Sequence, residues 1–207
     1  MNENLIQQLI DSGTLKTPEI IEAFRAIDRA DFVPEDKKDE AYRNVPLPIG
    51  FGQTISQPET VAMMLELLQP KKGEKIVDVG SGSGWQSALL AHIVGENGKI
   101  FSIEIIPELR QFGSKNISKY GFLDDGRIES LSLNAESGLP EEAPFDKIIA
   151  AASANFIPQE WKKELKVGGR IVMPVKESII LVEKKAENEF RETEYPGFLF
   201  VPFIPED

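Results

Sequence analysis

Three glycines spaced one residue apart stand directly after a short apolar run: Lys75 to Val79 (KIVDV) leads into Gly80-Ser81-Gly82-Ser83-Gly84, and Trp85 opens a helical stretch that reaches Val94. Glycines so placed at a strand-to-helix junction belong to a sheet of parallel strands joined by crossover helices, and the rest of the chain keeps that rhythm. Lys99 to Ile103 reads as a second strand and Pro107 to Tyr120 as a helix, with Gly121 as its left-handed C-terminal residue. Ile128 to Leu133 and Phe145 to Ala151 are a third and a fourth strand, the latter almost wholly apolar as a doubly covered strand should be. A short helix from Pro158 to Leu165 is expected to end at Gly168-Gly169, and Arg170 to Val175 forms a fifth strand. Ser178 to Glu183 and Phe198 to Ile204 supply two more, antiparallel about the polar turn Ala186 to Glu189. The expected fold is α/β: a doubly wound Rossmann-like sheet, mostly parallel with an antiparallel C-terminal strand, helices on both faces, and an N-terminal helical extension.

The first 69 residues read differently. Residues 3 to 30 look helical, with Leu5, Ile6, Leu9 and Ile10 on one face and Thr17-Pro18-Glu19 starting a second helix that runs through Ile27. From Asp31 to Gln53, Pro34, Pro46, Pro48, Gly50 and Gly52 argue against regular structure, and the stretch is long enough to be a functional loop. Ser56-Gln57-Pro58-Glu59 then opens a helix to Leu68 with capping-box spacing, which makes Ser56 a natural N-cap. With no repeat or linker, the chain is expected to be one domain over 1–207: N-terminal helices and a substrate loop over 1–69, and a cofactor-binding core over 70–207.

Composition removes several chemistries. The 207 residues are 41% hydrophobic, enough for one core, and they include no Cys and one His, His92. Thiolate metal sites, thiol nucleophiles and disulfides are excluded, and a triad or His-rich metal site would have to rest on His92 alone; carboxylate-only metal sites stay open, but no acidic spacing demands a metal and none is expected. A formal charge of −11 disfavours nucleic acid and anionic membranes as partners. The N-terminus lacks the basic start and apolar core of a signal peptide, and no run of 18 apolar residues occurs. The expectation is a cytoplasmic monomer acting on a small molecule or on peptide backbone.

The glycine loop narrows the ligand. Its spacing is G-x-G-x-G, and Trp85 stands where a dinucleotide fingerprint needs its third glycine, so an ordinary NAD pocket is disfavoured. A nucleoside with an amino-acid tail can lie against such a loop instead. Glu104 follows Gly80 by 24 residues at the end of the second strand, where a carboxylate can accept from both hydroxyls of a ribose, although a solvated acid at a strand end is the simpler alternative. Asn134, followed by Ala135 at the end of the third strand, can accept from an adenine amino group or can simply close a turn. Together, Asp78, the glycine loop and Glu104 point to an adenosine cofactor, with S-adenosyl-L-methionine as the first choice.

These residues, taken with Val45-Pro46-Leu47-Pro48-Ile49-Gly50-Phe51-Gly52-Gln53-Thr54-Ile55-Ser56-Gln57-Pro58, resemble the protein-L-isoaspartate O-methyltransferases. The similarity continues through Glu142 to Ile149, Ile157-Pro158, Gly168-Gly169-Arg170, Met173-Pro174-Val175 and Phe200-Val201-Pro202. The resemblance implies methyl transfer from S-adenosyl-L-methionine to isoaspartyl residues of damaged proteins. The ester then closes to a succinimide, whose hydrolysis restores some aspartate. It also implies that Ser56 is the active-site serine, with Thr54 and Ile55 lining the pocket. Gly80, Ser81, Gly82 and Gly84 form the cofactor loop, Glu104 binds the ribose, and Val201 and Pro202 belong to a strand that holds the substrate peptide. The chain departs from the family where Leu133-Asn134-Ala135 replaces the usual Gly-Asp-Gly, where Lys176 follows Val175 without a glycine, and at the acid Glu59. A methyltransferase retargeted to aspartyl or other carboxylates of a dedicated peptide, or a cofactor-binding protein without turnover, are the alternatives.

A carboxylate nucleophile arrives ionised at neutral pH, so methylating it requires alignment and exclusion of water rather than a general base. A hydroxyl such as that of Ser56 suffices to orient it, and the same residue can also cap a helix.

Overall fold

The computed structural model describes residues 2–204. Helices α1 (Asn2–Asp11) and α2 (Pro18–Ala26) form as the apolar spacing requires, burying Leu5, Ile6, Leu9, Ile20 and Phe24 in the core. Thr17 precedes Pro18 but does not cap α2. Its hydroxyl and its N–H both donate to the Glu66 carboxylate at 2.7 Å, which ties the start of α2 to helix α3 (Pro58–Leu68).

Residues 31–53 are more regular than the prolines and glycines suggest. Two 3₁₀ turns, Arg29–Phe32 and Glu35–Glu40, lead to an antiparallel hairpin of β1 (Leu47–Gly50) and β2 (Gln53–Ile55). Each strand of a two-stranded ribbon has one unpaired side, where the missing N–H of Pro48 does no harm. Gly50, Phe51 and Gly52 make the turn with φ of 97°, 54° and 71°.

The remaining elements are β3 (Lys75–Val79), α4 (Trp85–Val94), β4 (Lys99–Ile103), α5 (Pro107–Ser118), β5 (Ile128–Leu131), β6 (Phe145–Ala150), α6 (Gln159–Glu164), β7 (Leu165–Val175), β8 (Ser178–Ala186) and β9 (Glu189–Pro196). Seven of the strands form one sheet in the order β5-β4-β3-β6-β7-β8-β9. Pairings from β5 to β7 are parallel, and β8 and β9 are added antiparallel. Successive residues of a strand face opposite ways, so Ile76, Ile100 and Ile149 enter one apolar cluster while Val77, Phe101 and Ile148 enter the other. Helices α1 to α5 lie largely over the first cluster, and Trp161 of α6 fills the second. Winding reverses between β3 and β6, which opens a crevice beyond the C-terminal ends of those strands.

Two expected elements move. Helix α6 ends at Glu164, and Gly168 and Gly169 lie inside β7 instead of ending the helix. A Cβ on Gly169 would stand 2.8 Å from the Asp146 carbonyl, so the glycine permits close strand packing. The last strand is Glu189–Pro196, not Phe198 to Ile204. On the outer edge of the sheet β9 needs no apolar run. Phe198 to Ile204 instead crosses the C-terminal end of β6, held where Ser153 N–H donates to the Val201 carbonyl at 2.8 Å and Phe203 N–H donates to the Ser153 carbonyl at 2.9 Å.

Candidate active site

The glycine loop folds tightly because three of its residues take backbone conformations that side chains resist: φ is +71° at Gly80, +50° at Gly82 and +84° at Gly84. Gly80 and Ser81 donate their N–H groups to the Ile103 carbonyl at 2.9 and 3.0 Å, which docks the loop on β4. From the other side, Asn116 Nδ2 donates to the Ser83 carbonyl at 3.1 Å. A Cβ on Gly113, in the middle of α5, would lie 2.6 Å from the Gly82 carbonyl. Gly113 was not singled out from sequence, although a glycine inside an otherwise helical stretch is the signal for such a close approach.

Asp78 and Gly84, both expected at the cofactor, support the loop from behind and do not line the crevice. Gly84 faces Ile117, whose side chain a Cβ would meet at 2.9 Å. The Asp78 carboxylate is fully buried and accepts from Gln86 Nε2 at 2.7 Å and from Ser87 Oγ at 2.5 Å. Burial pushes its pKa up to about 6; the two hydrogen bonds oppose that shift and the nearby Glu104 charge adds to it. The unfolded chain gives up this proton near the ordinary carboxylate value and the folded protein only near pH 6. In that window the folded state binds more protons, so the contribution of Asp78 to stability falls as pH rises. Asp78→Asn, whose amide can serve the same two partners, is expected to remove the fall and to raise stability at pH 7 by about 2–3 kcal/mol. Urea unfolding at pH 4.5 and 7 measures this, and an unchanged slope between them would refute it.

Glu104 is buried at the crevice floor. Its Oε2 accepts from Gly82 N–H at 2.9 Å and its Oε1 from Ile106 N–H at 3.0 Å. Each oxygen keeps a second lone pair, so the acid is oriented without being used up. Gly80, Gly82, Glu104, Asn134 and Ala135 line a crevice open to solvent together with Ile49, Thr54, Val201 and Pro202. A Cβ on Gly82 would approach Ile49 Cδ1 to 3.2 Å, narrowing that space. Asn134 accepts from Glu136 N–H at 2.9 Å through its side-chain oxygen, so it closes a turn as well as lining the crevice.

A second, wider cleft lies beside the first and shares Thr54, Ala151 and Val201 with it. Ser56 lines this cleft and also a narrow pocket that reaches Gly80, Ser81 and Gly82, with Ile55 beside it. Ser56 does not cap α3. The N-cap is Gln57, and Asn44 takes over the expected capping box: its Oδ1 accepts from Glu59 N–H and its Nδ2 donates to Glu59 Oε2, both at 3.0 Å. The Ser56 hydroxyl is thereby left to the cleft. His92, on α4, lies outside both cavities, 3.9 Å from Glu22.

Arg29, which no sequence pattern marks, organises the whole segment. It is 0% exposed; Nη1 donates to the carbonyls of Ala41 at 2.7 Å and Arg43 at 3.2 Å, and Nη2 to those of Val45 at 3.0 Å and Ser56 at 3.1 Å. Its guanidinium sits 5.5 Å from the centre of the Trp85 ring, and its Nε has no hydrogen-bond partner among the described residues. Burial lowers its pKa to about 10, which leaves it charged at neutral pH.

A seven-stranded sheet of this order, with a glycine loop and a strand-end acid at its switch point, defines a doubly wound α/β protein with a nucleoside-binding crevice. The sequence profile of the protein-L-isoaspartate(D-aspartate) O-methyltransferase family matches residues 1–206, and the chain belongs to that family. A protein-L-isoaspartate O-methyltransferase of Methanopyrus kandleri is 40% identical over 209 residues, covering 99% of this chain and 92% of the relative. A protein-L-isoaspartate O-methyltransferase 2 of Archaeoglobus fulgidus is 42% identical over 186 residues, covering 88% and 84%. The fold is shared with a Plasmodium falciparum protein described as a candidate protein-L-isoaspartate O-methyltransferase, solved in complex with S-adenosyl-L-homocysteine. The TM-score is 0.87 at 24% identity, with 97% of each chain covered.

Proposed function

We propose that the protein transfers a methyl group from S-adenosyl-L-methionine to the α-carboxylate of L-isoaspartyl residues in damaged proteins, beginning their repair through a succinimide. The observation that carries this reading is the junction of the two cavities, where Thr54, Ala151 and Val201 are common walls and Ser56 stands beside the glycine loop. When bound, S-adenosyl-L-methionine supplies an electrophilic methyl group on a sulfonium centre. Gly80, Ser81 and Gly82 leave room for its amino-acid tail, the free lone pairs of Glu104 accept from its ribose, and Asn134 and Ala135 flank its base.

The peptide occupies the wider cleft, where the Ser56 hydroxyl donates to the substrate carboxylate and Val201 forms part of the wall; Pro202, expected at the peptide, lines the cofactor crevice and not this cleft. The junction residues Thr54, Ser56, Ala151 and Val201 include no titratable side chain, which suits a nucleophile that needs no base. In this reading 1–69 of the single domain supplies most of the peptide side and 70–207 the cofactor side. The protein works as a monomer in the cytoplasm on polypeptide rather than nucleic acid, in keeping with its net charge of −11. Among the described residues no helix is long and apolar enough to cross a membrane.

Labelled cofactor offered with matched isoaspartyl and aspartyl peptides tests the reading. Base-labile label on the isoaspartyl peptide alone is the expected result, and label on neither despite measurable cofactor binding overturns it. Ser56→Ala is expected to lower kcat/KM for the peptide by about 10- to 100-fold, the loss of one hydrogen bond to a charged group. Affinity for S-adenosyl-L-homocysteine and thermal stability should stay unchanged, because Ser56 is not a cap. Full turnover in this variant would remove Ser56 from the mechanism.

A further inference from the structure

Among the described residues the wider cleft has a single charged wall residue, and it is an acid, Glu59. The rest of the wall is hydroxyl, amide or apolar, from Thr14, Thr60 and Gln57 to Met63 and Phe198. Glu59 sits in the first turn of α3, three residues after Ser56, and its carboxylate does not swing freely. Oε1 accepts from the Thr14 hydroxyl at 3.2 Å and Oε2 from Asn44 Nδ2 at 3.0 Å. Both donors are neutral, so the charge is held in place without being neutralised, and each oxygen keeps a lone pair for a further donor. Half-burial limits the screening that a solvated surface acid would undergo.

A substrate carboxylate brought to Ser56 therefore enters a cleft whose fixed charge has the same sign. We propose that Glu59 is a specificity residue that selects isoaspartyl sites with a lysine or arginine close by. The substrate cation meets Glu59 while the substrate carboxylate meets Ser56, so the cation offsets both negative charges. An acidic neighbour in the same position is rejected by like-charge contact. The inference rests on the isoaspartyl reading above and adds the sequence context in which it operates. It also differs from the pull of the whole molecule. A net charge of −11 attracts any cationic peptide at long range wherever the cation lies, whereas Glu59 acts only on the residue that reaches it.

The test is a positional scan on the unaltered protein. Isoaspartyl peptides carry Lys, Gln or Glu at each flanking position in turn, with a distal Lys as control, and kcat/KM is measured at low and at near-physiological salt. The expected result is one flanking position where Lys exceeds Glu by about 10-fold or more, with Gln between them. Glu59→Gln, which can keep its bonds to Thr14 and Asn44, should collapse that ratio towards one. A Lys effect equal at the distal and flanking positions would overturn the proposal, as would a ratio that survives Glu59→Gln. Methylation of every peptide at the same rate refutes the role of Glu59 while leaving the isoaspartyl reading intact. Methylation of none, with cofactor bound, refutes both.

Discussion

Glu104→Gln is expected to weaken binding of S-adenosyl-L-homocysteine by about 100-fold, a larger effect than so conservative a change usually has. Both carboxylate oxygens already accept a backbone N–H, from Gly82 and from Ile106. An amide must turn its NH₂ towards one of them, so one backbone donor loses its acceptor and faces another donor. Leaving a buried N–H unsatisfied costs about 1–3 kcal/mol, and the strand-end acceptor for ribose loses its charge as well. The glycine loop bears the first effect and the cofactor the second. Titration calorimetry reads the affinity directly, and a variant that binds within a few-fold of the original would show that Glu104 is not the ribose acceptor.

Arg29→Met should have its largest effect on stability. The guanidinium donates to four carbonyls spread between Ala41 and Ser56, and a thioether donates to none. Hydrogen bonds from charged groups are each worth about 1.5–3 kcal/mol, while relief of the desolvated cation and its unpartnered Nε recovers part of the loss. The net expectation is a loss of about 3–5 kcal/mol, or a fall in Tm on the order of 10 °C for a chain of this size. Hydrogen exchange should show the protection lost first over residues 41–56, with the glycine loop retained until global unfolding. Uniform loss of protection across the sheet would mean that Arg29 supports the fold as a whole and not this segment.

The two cases show why the core was legible and the cleft only in part. Strands β3, β4 and β6 are covered on both faces, so burial writes itself into nearly continuous apolar runs such as KIVDV and FDKIIA. Strand β9 (EFRETEYP) has one free edge and mostly exposed side chains, and it left no such trace. The apolar stretch after it reads as a strand because Phe198 and Phe200 line a cleft, which looks the same in sequence as lining a core. The capping-box pattern at Ser56 was valid as a local rule, but Asn44, 12 residues earlier, reaches the same N–H first. Arg29 could not be read from sequence at all, because its partners are carbonyls, which every residue has. The glycine loop and Glu104 were readable because close backbone approach and a strand-end acid each demand a particular residue type at a particular spacing.

A protein that handles partly unfolded chains risks joining their aggregates, and the outer strand of the sheet bears on that risk. Strand β9 presents Glu189, Arg191, Glu192 and Glu194 along its length and ends in Pro196, with Lys162 of α6 reaching Glu192 at 2.7 Å. An extended segment of a damaged protein that approached this edge would meet several charges and, at its end, a residue with no N–H to offer. The sheet thereby discourages strand addition by damaged protein, and co-precipitation is resisted at the place where an open sheet is most exposed to it.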